Sequence, residues 1–169
     1  MENIIIKNTA EMKDLAQIYN PGTLNIIGGR PESGKTKLAF QLAVEARKQT
    51  AYFSMKTMGE KLLSQQVPTD HPDWIHIEDT PSVTPSNVRQ KTLRLKEKYD
   101  IRWVVIDYLQ LMNASQPHTN PSDRQTSILD ELKKMAAEQQ VAVIVLSQVA
   151  EKNNFGFPIP SCVDDVRVL

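Results

Sequence analysis

From residue 24 onward the chain alternates two kinds of segment. LNIIG (24–28), TAYFSM (50–55), WVVID (103–107) and VAVIVLS (141–147) are short runs with few polar residues, and WIHIE (74–78) alternates apolar with polar. These read as strands. Residues 35–48 hold no Gly or Pro and are rich in Ala and Leu, which predicts a helix. Further helices are predicted over 59–67, stopped by Pro68, from Ser86 as cap to about Tyr99, and over 123–140. Continuous apolar strands joined by helices imply a parallel sheet covered on both faces. The expected fold is therefore α/β, a three-layer α/β/α domain with a mostly parallel central sheet.

Outside this alternation the pattern weakens. Asn8-Thr9-Ala10-Glu11 resembles a capping box and predicts a short helix to about Tyr19, followed by a Pro21-Gly22 turn. Residues 113–122 carry two prolines and no period, so they read as a loop. The tail after Gln148, with Pro158 and Pro160, is expected to be irregular. The 169 residues suit a single domain, with a lead-in over 1–20, a core over 22–148 and a tail over 149–169.

Charge and composition narrow the function. Acidic and basic residues balance at 20 each, which argues against a strongly basic nucleic-acid clamp. The single cysteine, Cys162, cannot form an internal disulfide. Together with the lack of a signal-peptide pattern, this points to the cytoplasm. The longest apolar run, Val141 to Leu146, is too short to span a bilayer, so no membrane is expected. His71, His76 and His118 are scattered, and no Cys/His spacing suggests zinc.

One stretch carries clear chemistry. Gly29-Arg30-Pro31-Glu32-Ser33-Gly34-Lys35-Thr36 matches the phosphate-loop pattern G-x-x-x-x-G-K-[ST], and it lies between a predicted strand and a predicted helix. Glycines let the backbone curl so that N–H groups point at phosphate oxygens. The helix beginning near Lys35 adds the positive end of its dipole. The Lys35 ammonium would reach the β and γ phosphates, and the Thr36 hydroxyl would ligate Mg²⁺. Such a grip needs a carboxylate at the end of another buried strand to hold Mg²⁺ through water, and Asp107 fits. Ser147 and Gln148, closing the last apolar strand, stand where a polar group senses the γ-phosphate or orients a water. The expected ligands are ATP or ADP with Mg²⁺.

GGRPESGKT, YFSM, IEDTPSVTP, WVVIDYLQLM and VIVLSQ resemble, in order and spacing, the RecA-like ATPase domain of DnaB-type replicative DNA helicases. The resemblance covers about Gly22 to Gln148. It implies a RecA-like phosphate-loop fold, hexameric rings that bind single-stranded DNA in the channel, and ATP hydrolysis between subunits. It also implies that Lys35, Thr36, Asp107 and Gln148 carry the nucleotide and metal roles given above.

The sequence departs from that family at three places. The family ends its second strand with phenylalanine-serine-leucine-glutamate-methionine, and its glutamate polarises the attacking water. Here Phe53-Ser54-Met55-Lys56-Thr57 places a lysine at the base position. Lysine is cationic at neutral pH and has no acceptor, so it cannot take a proton from water without a large fall in pKa. Lys56 is either a solvated replacement or a partner for the γ-phosphate. Glu60, a turn further on, is the candidate substitute base, and Glu32 should project away from the γ-phosphate. In the tail, Asp164 and Asp165 occupy positions where the family has arginine and glutamate, and Arg167 is the only arginine there. Third, the family's N-terminal helical domain and linker helix lack counterparts, which counts against the implied hexamer.

The helix predicted from Ser86 carries Arg89, Lys91, Arg94, Lys96 and Lys98. With Val88, Leu95 and Tyr99 facing the core, the basic residues read better as a solvated face than as a DNA-binding one. By resemblance, other DNA candidates are the 113–122 loop with His118 and the tail with Lys152. The first expectation is an ATP-binding helicase-type domain whose hydrolysis is weak or absent alone. The alternatives are a non-catalytic regulatory or assembly module working with a helicase, or an ATPase completed by a partner. The expected partners are nucleotide and either single-stranded DNA or a helicase subunit.

Overall fold

The computed structural model describes residues 19–55, 72–118, 120–149 and 165–168. The helices expected over 8–19 and 59–67, together with Lys56 and Glu60, lie outside the described residues.

Among the described residues, six strands form one sheet in the order β3-β2-β4-β5-β1-β6, and every neighbouring pair is parallel. The strands are β1 (Leu24–Gly29), β2 (Thr50–Ser54), β3 (Ile75–Asp79), β4 (Trp103–Asp107), β5 (Ala142–Gln148) and β6 (Asp165–Val168). β1, β2 and β4 are buried along their whole length. That accounts for their largely apolar sequences, with Asn25, Thr50, Ser54 and Asp107 as the buried polar residues, because parallel strands are covered on both faces. β3, next to β2 at one side of the sheet, is only half-buried, and its alternating sequence reflects that.

The described helices that cover the sheet are α1 (Lys35–Ala46), α2 (Pro85–Tyr99) and α3 (Pro121–Gln139). The period of two in each strand sorts side chains between two cores. Ile27, Tyr52, Trp103, Val105, Ala142, Ile144 and Leu146 pack with Leu38, Ala39, Phe40 and Leu42 of α1. On the other face, Ala51, Phe53, Val104, Ile106, Val143 and Val145 pack with Val88 of α2 and with Ile128, Leu129, Leu132, Met135 and Ala136 of α3. The three-layer expectation holds.

Four details differ from the sequence reading. The tail is not wholly irregular: Asp165–Val168 pairs in parallel with β1, Asn25 opposite Asp165 and Gly28 opposite Val168. DVRV alternates polar and apolar residues, but over only four positions in a proline-bearing tail, and it pairs with a buried neighbour. Thr84 rather than Ser86 caps α2: its hydroxyl accepts from the Asn87 N–H, and the Asn87 side chain accepts from the Thr84 N–H. α3 begins at Pro121, within the expected loop, because Asn120 caps it and proline suits the first helical position. Finally, a 3₁₀ turn over Leu109–Leu111 follows β4.

Candidate functional site

The strand register brings the motif ends together along the carboxyl edge of the sheet. Gly29 lies opposite Gln148, Ser54 opposite Asp107 and Ser54 opposite Asp79. β2 and β4 are neighbours, yet the chain leaves β2 toward β3 on one side and β4 toward β5 on the other. Ligands in open α/β sheets bind at the carboxyl ends of the strands, where the order reverses in this way.

The phosphate loop turns between β1 and α1. Gly34 has φ 87°, a left-handed conformation that glycine adopts without strain. A Cβ on Gly29 would lie 2.5 Å from Ser33 Oγ and 3.2 Å from Lys35 Cγ and Cδ, so any larger residue would push the Ser33 and Lys35 side chains aside. No side chain caps α1, whereas Thr84 and Asn120 cap α2 and α3. The first-turn N–H groups of α1 therefore suit an anion at the loop. Lys35 is only 8% exposed. Its ammonium donates to Gly29 O at 2.8 Å, Arg30 O at 2.5 Å and Ser33 Oγ at 3.4 Å. Arg30, Pro31, Glu32 and Ser33 are exposed, and Glu32 has φ 62°.

Alternation along β4 puts Asp107 on the α1 face with Trp103 and Val105. Thr36, in the first turn of α1, donates its hydroxyl to Asp107 Oδ2 at 2.7 Å. This bond joins residues 71 positions apart and sets the phosphate loop against the strand carboxylate. A hydroxyl and a carboxylate are hard oxygen ligands of the kind Mg²⁺ takes, and Mg²⁺ draws its remaining ligands from water and phosphate. Among the described residues no group of three His, Cys, Asp or Glu side chains is placed to hold a metal alone.

Two residues join the site that the sequence reading did not assign to it. Tyr52 is fully buried on β2 and donates to Asp107 Oδ2 at 3.4 Å. Burial, reinforced by the Asp107 charge, holds the Tyr52 phenol well above its usual pKa, so it stays a donor. Gln110, on the 3₁₀ turn, bonds Ser147 and the main chain of Gln148. Gln110 lies within the WVVIDYLQLM stretch, but only the path of the turn reveals its contact. Gln148 is half-buried and falls on the α1 face with Leu146, while Ser147 is fully buried.

The basic residues of α2 are largely engaged within the protein. Arg89 pairs with Glu138 at 2.7 Å, and Lys91 with Glu78 at 2.6 Å and Thr80 at 2.9 Å. Lys96 donates to Gln139 O, and Lys98 lies over the Tyr99 ring. This agrees with a structural rather than a DNA-binding reading of the helix. Among the described residues no helix is long and apolar enough to cross a membrane.

Comparison with known proteins places these features. The chain is 31% identical to the replicative DNA helicase DnaB of Leifsonia xyli over 82% of its own length and 37% of that protein. It is 29% identical to the replicative DNA helicase DnaC of Bacillus subtilis, over 83% of the chain and 38% of the relative. The chain thus spans well under half the length of these relatives. Among solved structures, a DnaB-like replicative helicase described with its primase interactions superposes with a TM-score of 0.70 at 23% identity, covering 85% of this chain and 43% of that one. That likeness shows the RecA-like fold. The family described as DnaB-like helicase C terminal domain matches residues 63–155, a segment that includes Asp107 and Gln148. Since that segment is more than half of the 169 residues, the chain belongs to the DnaB-like helicase C-terminal domain family.

Proposed function

We propose that the chain binds MgATP or MgADP at the loop 29–36 and hydrolyses ATP weakly or not at all by itself. The observation that carries the binding half is the 2.7 Å bond from Thr36 to Asp107, which unites the phosphate loop with a strand carboxylate. In this reading Lys35 exchanges the carbonyls of Gly29 and Arg30 for the β and γ phosphates. Thr36 and Asp107 hold Mg²⁺, which when bound neutralises phosphate charge. Gln148 meets the γ-phosphate from the end of β5.

The hydrolysis half rests on Lys56. In the sequence it directly follows Met55, whose N–H donates to Asp107 O at 3.0 Å, and it holds the position where the family resemblance expects the base. A cation there favours a bound, unreacted γ-phosphate. The partners in this proposal are nucleotide and either single-stranded DNA or a helicase subunit, and the hexamer that the resemblance implies is not part of it. The internal pairing of Arg89, Lys91 and Lys96 favours the second reading, a nucleotide-binding regulatory or assembly module that works with a helicase.

Single- and multiple-turnover ATP hydrolysis of the wild type beside Lys56→Glu, with and without single-stranded DNA, tests this. Turnover by the glutamate variant alone supports a chain that kept its grip and lost its base. Equal turnover by the wild type sinks that reading and makes Glu60 the first candidate base. Turnover that appears only with an added helicase subunit makes the chain an ATPase completed by its partner.

A further inference from the structure

β4 ends at Asp107, while β5 runs on to Gln148. The β4–β5 register runs from Trp103 opposite Ala142 to Ile106 opposite Val145. At the end of β5, one side chain takes the place of a strand partner. The Gln110 carboxamide accepts from the Gln148 N–H at 3.1 Å and donates to Gln148 O at 3.1 Å. It also donates to Ser147 Oγ at 2.9 Å. Its orientation is unambiguous: a backbone N–H must face the amide oxygen and a backbone carbonyl the amide nitrogen. On the other side, the Val149 N–H donates to Gly29 O at 3.1 Å, the same carbonyl that receives Lys35. The main chain at 148–149 is thus held between the segment following the metal aspartate and the phosphate loop.

We propose that Gln110 is a positioning residue: by pairing with the main chain of Gln148 it aims the Gln148 side chain at the terminal phosphate of the bound nucleotide. This rests on the reading of Gln148 as the γ-phosphate contact. A side chain's direction at a strand end follows its backbone, and this backbone has no β4 residue in register to fix it. Gln110 supplies the missing ladder bonds, and its position three residues after Asp107 couples the two halves of the site.

The test uses the 169-residue chain as wild type, Gln110→Leu, Gln148→Ala and the double variant. Hydrogen exchange of the Gln148 amide is followed by NMR without nucleotide. Affinities for MgADP and for a non-hydrolysable Mg-bound ATP analogue are then measured by calorimetry. In Gln110→Leu the Gln148 amide should exchange about tenfold faster, with Val145 unchanged, because its acceptor is gone. The preference for the triphosphate over the diphosphate should fall about fivefold, and the double variant should fall no further than Gln148→Ala. Gln110→Glu keeps the length and one acceptor but turns a carboxylate oxygen on Gln148 O. It should show the same loss of preference if the leucine variant does not fold. Unchanged exchange at Gln148 in Gln110→Leu overturns the inference. So does a wild-type preference in Gln110→Leu when Gln148→Ala has lost it, and that result leaves the Gln148 reading standing. A wild-type preference in Gln148→Ala overturns the Gln148 reading itself and the inference with it.

Discussion

Asp107→Asn separates the proposed metal role of the carboxylate from its structural role. Asp107 is 3% exposed and accepts from Thr36 at 2.7 Å and from Tyr52 at 3.4 Å. Asparagine keeps one acceptor oxygen in nearly the same volume. It also relieves the cost of holding a buried negative charge. The two changes oppose each other, so stability without ligand should move by no more than about 1 kcal/mol, or about 2–4 °C in a domain of this size. The ligand-linked term is different. A nucleotide at a hundredfold excess over its Kd stabilises the folded state by about 2.7 kcal/mol, which corresponds to a rise of about 5–11 °C in Tm. If Asp107 and Thr36 hold the metal, that rise in the wild type should depend on Mg²⁺ and vanish with a chelator. In Asp107→Asn the chelator should make no difference, because the charge that retained the metal is gone. The assay is thermal unfolding by circular dichroism, with ATP, in Mg²⁺ and in EDTA. A variant whose Tm rise is as large and as Mg²⁺-dependent as the wild type's refutes the metal assignment.

Lys35→Ala should abolish the nucleotide-linked rise in Tm, since it removes the cation meant for the β and γ phosphates; unchanged affinity in calorimetry would sink the phosphate-grip assignment. Tyr52 has its folded pKa raised by burial and by Asp107, so above the usual tyrosine value of about 10 the unfolded chain releases its proton first. Its share of stability is full below about pH 10 and is lost as pH rises toward the folded value. Denaturant unfolding between about pH 9 and 11 should therefore be less pH-dependent in Tyr52→Phe, and equal slopes count against the buried, protonated phenol. His76 has its folded pKa lowered by burial and by Lys98, and it stacks on Tyr99 with its Nε2 2.7 Å from Gln49 Oε1. The neutral ring's stabilisation is present above the unfolded value of about 6.5 and is lost as pH falls through the folded value. His76→Phe should flatten the fall in stability between about pH 6.5 and 5, and an unaltered fall means that other groups carry it.

The strands were legible because burial on both faces leaves few alternatives to an apolar run. Val104, Ile106, Val143 and Val145 face one helical layer, while Trp103, Val105, Ile144 and Leu146 face the other. No polar residue was tolerated until Asp107 and Ser147. β6 was not legible, because the alternation in DVRV spans only four residues and its pairing with β1 is long-range. Both helix starts that were misplaced carried a local signal: Thr84-Pro85 and Asn120-Pro121 each put a capping side chain before a proline at the first helical position.

The site divides along the same line between local and long-range information. The phosphate loop is a local object, since its glycines, lysine and threonine must be consecutive for the backbone to wrap an anion, and the sequence shows it directly. Asp107 is half local: a strand pattern marks it as a terminus, but only the bond to Thr36, across 71 residues, makes it a metal candidate. Tyr52 and Gln110 are not local at all. Tyr52 reaches Asp107 because β2 lies beside β4 with Ser54 opposite Asp107, which puts residue 52 on the aspartate's face. Gln110 reaches Gln148 because the chain after β4 turns back over the end of β5. Both contacts are made by residues whose types look ordinary in a strand and a turn. Each bonds one member of the candidate set, Tyr52 to Asp107 and Gln110 to Gln148. The residues of the candidate phosphate and metal set are therefore the ones a sequence displays, while the contacts that hold them emerge from sheet order and register.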